Sequence, residues 1–182
     1  MAHEFTTSYL KDSISLFQMN KRLAEGALAQ VTDEQLFATL DPEMNSIAIV
    51  MKHMAGNMRS RWTDFLTTDG EKPNRNRDSE FEAPPQTRAA LMKLWSEGWE
   101  CVFRALEPLS EKDMSRTVTI RGEPHSVMQA LNRQIAHYAY HVGQIVFLAK
   151  HFQHAQWRSL SVPRGKSGDF NRQVPSGEKS QR

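Results

Sequence analysis

The stretch Arg133–Lys150, RQIAHYAYHVGQIVFLAK, decides how this chain is read. Within it and its flanks, Val127, Leu131, Ile135, Tyr138, Val142, Ile145, Ala149 and Phe152 recur at steps of three or four, the apolar stripe of an amphipathic helix. Beside it runs a second row, Ala130, Gln134, His137, His141 and Leu148. His137 and His141 are four residues apart, slightly more than one turn, so both imidazoles leave one face and can meet at one point. Two neutral imidazoles aimed at one place are half of a tetrahedral metal site. Gly143 lies mid-helix, at a cost of about 1 kcal/mol relative to Ala; such a residue often admits a close neighbour.

Working outward, three more long helices are expected. Phe5, Tyr9, Leu10, Ile14, Phe17, Leu23, Ala27 and Leu28 mark one from about His3 to Gln30. Thr32 and Gln35 have the spacing of a capping box and open a short turn that Asp41-Pro42 ends. Asn45 or Ser46 then caps a helix whose stripe is Ile47, Val50, Met54, Met58, Trp62, Phe65 and Leu66, fading near Thr67. A long polar connection, Glu71 to Pro85, precedes a helix capped by Thr87 that runs through Leu106 to Pro108. Val118 and Ile120 alternate with Thr117, Thr119 and Arg121, so a short extended segment is expected near 117–121, before the last long helix. The fold class is therefore all-α, a four-helix bundle spanning 1–155. The polar tail 156–182 is expected to be partly disordered, in its last ten or so residues above all.

Bundles build metal sites from facing helices, and His53 supplies the missing third ligand. It sits inside a long helix at the edge of an apolar stripe, whereas His3, His125, His151 and His154 fall at helix ends or in a connector. Three imidazoles holding one divalent ion leave a coordination position open, as catalytic sites do. Asn57, Gln134 and Gln144 are candidates for holding the imidazole tautomers, Gln144 reading more simply as a helix-surface amide. The competing view makes all of these unrelated polar residues on bundle flanks.

The totals exclude several classes. In 182 residues, 23 Lys and Arg stand against 21 Asp and Glu, a net of +2 and no basis for a nucleic-acid-binding stripe. The single cysteine, Cys101, forms no intrachain disulfide, fits a reducing compartment and reads as a packed apolar group. No apolar run suits a membrane span and MAHEFTTSYLKDS does not resemble a secretory leader, so a cytoplasmic location is expected. His-Glu-x-x-His is absent, since Tyr138 follows His137, and no Glu-x-x-His pair of ferritin-like centres occurs. No phosphate-binding glycine loop appears, and Asp64 is at most a possible base near the His53 helix. The Met and Trp residues read as core.

Three stretches carry a family resemblance: NSIAIVMKHMAGNMRSRWTDFLTTDGEKPNRNRD from Asn45, RTVTIRGEPHSVMQALNRQIAHYAYHVGQIVFLAK from Arg116, and SLSVPRGKSGDFN from Ser159. They resemble the DinB-like superfamily, and within it a bacterial branch labelled a domain of unknown function, up to about Asn171. The resemblance implies a four-helix bundle with a histidine triad at His53, His137 and His141, one bound zinc or nickel ion, and a homodimer. It also implies thiol-dependent chemistry, because characterised relatives include mycothiol-dependent maleylpyruvate isomerase and bacillithiol transferases. The segment Arg75, Arg77, Asp78 and the tail segment Arg164, Lys166, Ser167 belong to the branch's pattern, and Arg77 and Arg164 are expected to close over the pocket or over a dimer partner. The function expected is that of a metal-dependent enzyme, a thiol S-transferase or hydrolase acting on a small molecule. Its competitor is a noncatalytic, metal-binding homodimeric bundle with a regulatory or scaffolding role. Neither nucleic acid nor membrane is expected as a partner.

Overall fold

The computed structural model describes residues 5–176. Six helices occur among them: α1 (Tyr9–Leu28), α2 (Asp33–Phe37), α3 (Ile47–Trp62), α4 (Arg88–Leu106), α5 (Val127–Gln153) and α6 (Ser167–Gln173). One hairpin, β1 (Thr117–Ile120) with β2 (Glu123–Ser126), accompanies them, and the class is all-α. The start expected near His3 lies outside the described residues, as do positions 177–182 of the tail.

Local chemistry sets the boundaries. Ser8, Ser46, Thr87 and Ser126 each accept a hydrogen bond from a backbone N–H of the first turn they open, which settles the cap of α3 on Ser46. Thr32 and Gln35 form the expected capping box. Helix α3 stops at Trp62, short of Thr67, because Asp64 takes φ 48° and turns the chain away.

The core forms where α3 packs between α4 and α5 while α1 lies along α5. Phe17, Met51, Met54, Met58, Trp95, Trp99 and Tyr138 fill it. Phe17 meets the Trp62 ring edge-on at 5.6 Å, and Trp99 meets Tyr138 likewise at 5.6 Å. Cys101 is half-buried and packs against this core. No helix among the described residues is long and apolar enough to cross a membrane.

The extended segment near 117–121 is half of a hairpin. Pro124, which cannot donate to a ladder, hides β2 in the sequence, yet it pairs with Thr119 on this edge. Arg121 (φ 56°) and Gly122 (φ 78°) form the two-residue turn, both central residues left-handed as the strand twist requires. Asp69 holds that turn, its carboxylate accepting from the backbone N–H of Arg121 and of Gly122 at 2.8 Å each. Gly143 is surrounded by open space: a Cβ there would meet nothing within 4 Å, so the glycine does not serve a close approach.

Beyond α5 the chain folds back on α1. Gln30 exchanges hydrogen bonds with the backbone of Arg158, at 3.1 and 2.8 Å, and Leu160 packs over Gly26. Helix α6 contributes no buried residue.

Candidate metal centre

His53 comes from the buried face of α3, and His137 and His141 come from α5. Their ligand atoms lie within 4.8 Å of one another. The Nε2 of His137 stands 3.4 Å from that of His53 and 3.1 Å from that of His141. All three rings therefore present Nε2 to one centre, as the spacing on α5 and the stripe on α3 lead one to expect.

The outer nitrogens fix the tautomers of two rings. His53 Nδ1 lies 2.9 Å from Glu80 Oε2, and His141 Nδ1 lies 2.8 Å from Gln144 Oε1. Both partners are oxygens that only accept, so the proton sits on Nδ1 and the Nε2 lone pair faces inward. A proton on His137 Nε2 can bridge to only one of the two neighbours, whereas a cation at the centre satisfies all three. The donor set, three neutral imidazoles of which two are held by an outer oxygen, suits a divalent ion.

Burial disfavours the charged form of the two α5 imidazoles. Desolvation first, then the neighbouring imidazoles of His141 and His53, lower the His137 pKa to about 3. Burial also lowers His141, opposed by the hydrogen bond that its Nδ1–H donates to Gln144.

Glu80 is the member of the candidate site that sequence reading missed. It lies in the 71–85 connection, which is ordered by a 3-10 turn at Asp78–Phe81 rather than left loose. Arg75 grips the Glu80 carboxylate through Nε and an outer nitrogen, both at 2.8 Å, and reaches Glu71 at 3.1 Å. Arg61 and Arg121 pair with the same Glu71, at 2.9 and 3.3 Å. Burial pushes the Glu80 carboxyl up, but the hydrogen bonds from His53 and Arg75 outweigh it and hold the group below its ordinary range. Helix α3 makes room at Gly56, where a Cβ would stand 2.6 Å from the carboxylate carbon of Glu80. No periodicity signals an acid of this kind.

The remaining candidates divide. Gln144, read as a surface amide, holds His141 instead. Asn57 is buried and lines the adjoining cavity, but its Oδ1 accepts from Tyr138 (3.2 Å) and not from an imidazole. Gln134 is buried on the same wall with its Oε1 unpartnered, as is Nδ1 of His137. Arg77 places its guanidinium 4.9 Å over the Phe81 ring, which stacks on His53 at 4.5 Å, and so reaches the cavity. Arg164 is exposed in the tail and does not line that cavity. Asp64 is also exposed and faces a different groove, behind the Glu71–Glu80 loop.

The cavity in front of the three imidazoles measures about 440 Å³. Its size falls in the range of small-molecule sites, and the three histidines form part of its lining.

No curated protein matches the chain. A family model does match it, over residues 4–166, and the chain therefore belongs to the family described as "Protein of unknown function (DUF1572)".

Proposed function

We propose that this protein is a metal-dependent enzyme of the DinB-like superfamily, in which His53, His137 and His141 hold one zinc or nickel ion. The convergence of three Nε2 atoms on one wall of an open cavity carries this reading. Among the described residues only these three side chains group as metal ligands, which leaves coordination free on the cavity side. A divalent ion there supplies Lewis acidity and lowers the pKa of a thiol or water offered to it.

The chain's own groups do the rest. Glu80 and Gln144 hold the imidazoles in register, and Phe81 covers the His53 ring and keeps water from that side. The reaction we propose is transfer of a low-molecular-weight thiol to an electrophilic small molecule. The thiol rests on the resemblance of the His53 and His137–His141 stretches; hydrolysis is the runner-up in the same site.

The second copy of a homodimer is proposed to pack on the outward face of α5. There Tyr140 and Phe147 are 64% and 62% exposed, with Ala136 and Gly143 beside them on the same face. Tyr140 also lines the cavity, so this face adjoins the site.

The test is elemental analysis of protein purified without an affinity tag, followed by a thiol-consumption assay with zinc, bacillithiol and an electrophile. One ion per chain in the wild type, lost in both His53→Ala and His137→Ala with the helical signal intact, is the expected result. Stoichiometric metal without thiol consumption or hydrolysis points to the noncatalytic bundle. Metal retained in both variants removes the site altogether.

A further inference from the structure

The cavity in front of the imidazoles is walled with arginine. Arg61, Arg75, Arg77, Arg121 and Arg133 line it, and among the described residues no Asp or Glu does. Three of these cations are already engaged: Arg61, Arg75 and Arg121 pair with the carboxylates of Glu71 and Glu80, and Asp69 lies near Arg61 and on the Arg121 backbone. Arg77 has only Asp78, 3.9 Å away, whose side chain is 95% exposed and therefore well screened. Arg133 has no acidic partner among the described residues.

Arg133 is placed by the helix itself. It lies four residues before His137 and eight before His141, so the three share one row along α5. An arginine on an open helix face is ordinarily a solvated surface charge. Here it borders a cleft whose other cations are already held in place, and clefts lined by one sign of charge concentrate the opposite ion.

From this wall we propose that the substrate is an anion, a small molecule bearing a carboxylate or phosphate group. Arg133 and Arg77 are its specificity-determining residues. The proposal rests on the metal reading for the chemistry performed, but not for binding. Arg61, Arg75 and Arg121 shape the wall and are occupied by Glu71 and Glu80. Arg133 and Arg77 have guanidinium donors to spare, and the planar fork of each matches two oxygens of a carboxylate or phosphate. The arrangement leaves the anionic end of the substrate on the arginines and its reacting end toward the imidazoles.

The experiment titrates full-length protein, stripped of metal with a chelator, with succinate, inorganic phosphate and the neutral succinamide at constant ionic strength, followed by calorimetry. Saturable binding of succinate, phosphate or both is expected, with succinamide silent; which anion binds identifies the group recognised. Arg133→Gln and Arg77→Gln should each weaken it roughly tenfold, the loss of one charged hydrogen bond. Both positions are solvent-accessible, and the variants' thermal melts should match the wild type. Absence of saturation with both anions, equal binding of succinamide, or wild-type affinity in both variants overturns the proposal. Zinc stoichiometry on the same samples separates the two readings. Anion binding without zinc uptake removes the metal centre and leaves the arginine site standing, whereas zinc uptake without anion binding removes only the arginine site.

Discussion

His53 Nδ1 and Glu80 Oε2 stand 2.9 Å apart with both side chains almost fully buried, 27 positions apart in the chain. This contact fixes the direction in which a histidine on a buried helix face presents its Nε2. It also ties the 71–85 connection to the bundle, because the same carboxylate is gripped by Arg75. Orientation of the ligand and order of the loop therefore depend on one side chain.

Replacing Glu80 separates these roles. Glu80→Gln keeps the shape and an accepting oxygen but removes the charge, so zinc affinity should fall about tenfold, the low end of what loss of an outer partner costs a ligating histidine. Glu80→Ala also takes from the buried Arg75 guanidinium its two-point partner and leaves it Glu71 alone, at a cost of about 1–3 kcal/mol. Competition with a chromophoric chelator measures the first effect and denaturant unfolding the second. Unchanged zinc affinity in Glu80→Gln would show that the outer partner of His53 needs no charge.

Gly56→Ala tests the same contact without touching any ligand or charge. The new methyl collides with the Glu80 carboxylate, so either α3 shifts or the carboxylate leaves His53. The expected cost is about 1–3 kcal/mol of stability, accompanied by weaker zinc binding. A variant as stable and as avid for zinc as the wild type would mean that the loop yields freely there.

What could be read from the sequence follows the range of the interactions. Ser46, Thr87 and the Thr32–Gln35 box act within one turn, and the His137–His141 pair is a matter of helical pitch, so local pattern suffices for each. His53 was reachable too, because its helix carries a regular apolar stripe. Glu80 was not. Its position follows from an ion network that draws Arg61, Arg75 and Arg121 from a helix, a loop and a hairpin onto Glu71 and Glu80, and the loop between has no periodicity to betray it. Strand β2 escaped notice for a different reason, since Pro124 argues against a strand unless its partner is known. Gln144 looks like a surface amide until its oxygen is seen against His141.

In metal-free protein the burial of the imidazoles should show as a pH dependence. In the unfolded chain His137 titrates near pH 6.5, whereas in the fold burial and its two neighbours lower that value to about 3. Between these limits the unfolded state binds a proton that the folded state refuses, so stability falls as pH drops. His141 is shifted in the same direction and adds to the slope. The depressed Glu80 carboxyl contributes stability above its unfolded pKa that is lost at still lower pH. Thermal melts of chelator-treated protein should thus be level above about pH 7 and decline steadily below about 6.5. A melting temperature unchanged down to about pH 5 would contradict neutral burial of His137. In zinc-loaded protein the decline should coincide with release of the ion, since protons and metal compete for the same nitrogens.

The outward face of α5 offers a test that distinguishes a free helix surface from a covered one. Gly143 is exposed with nothing near it, so Gly143→Ala should stabilise an isolated chain by about 1 kcal/mol through helix propensity. Tyr140 and Phe147 flank it at spacings of three and four residues, an apolar face on an otherwise charged surface. If a second copy packs there, wild-type protein sediments as a dimer, and Phe147→Glu shifts it to monomer by placing a charge in the contact. In that dimer Gly143→Ala should lose its stabilising effect, because the added methyl then meets the partner helix. A monomer at micromolar concentration in analytical ultracentrifugation, together with the full gain from Gly143→Ala, would leave Tyr140 as part of the cavity mouth alone.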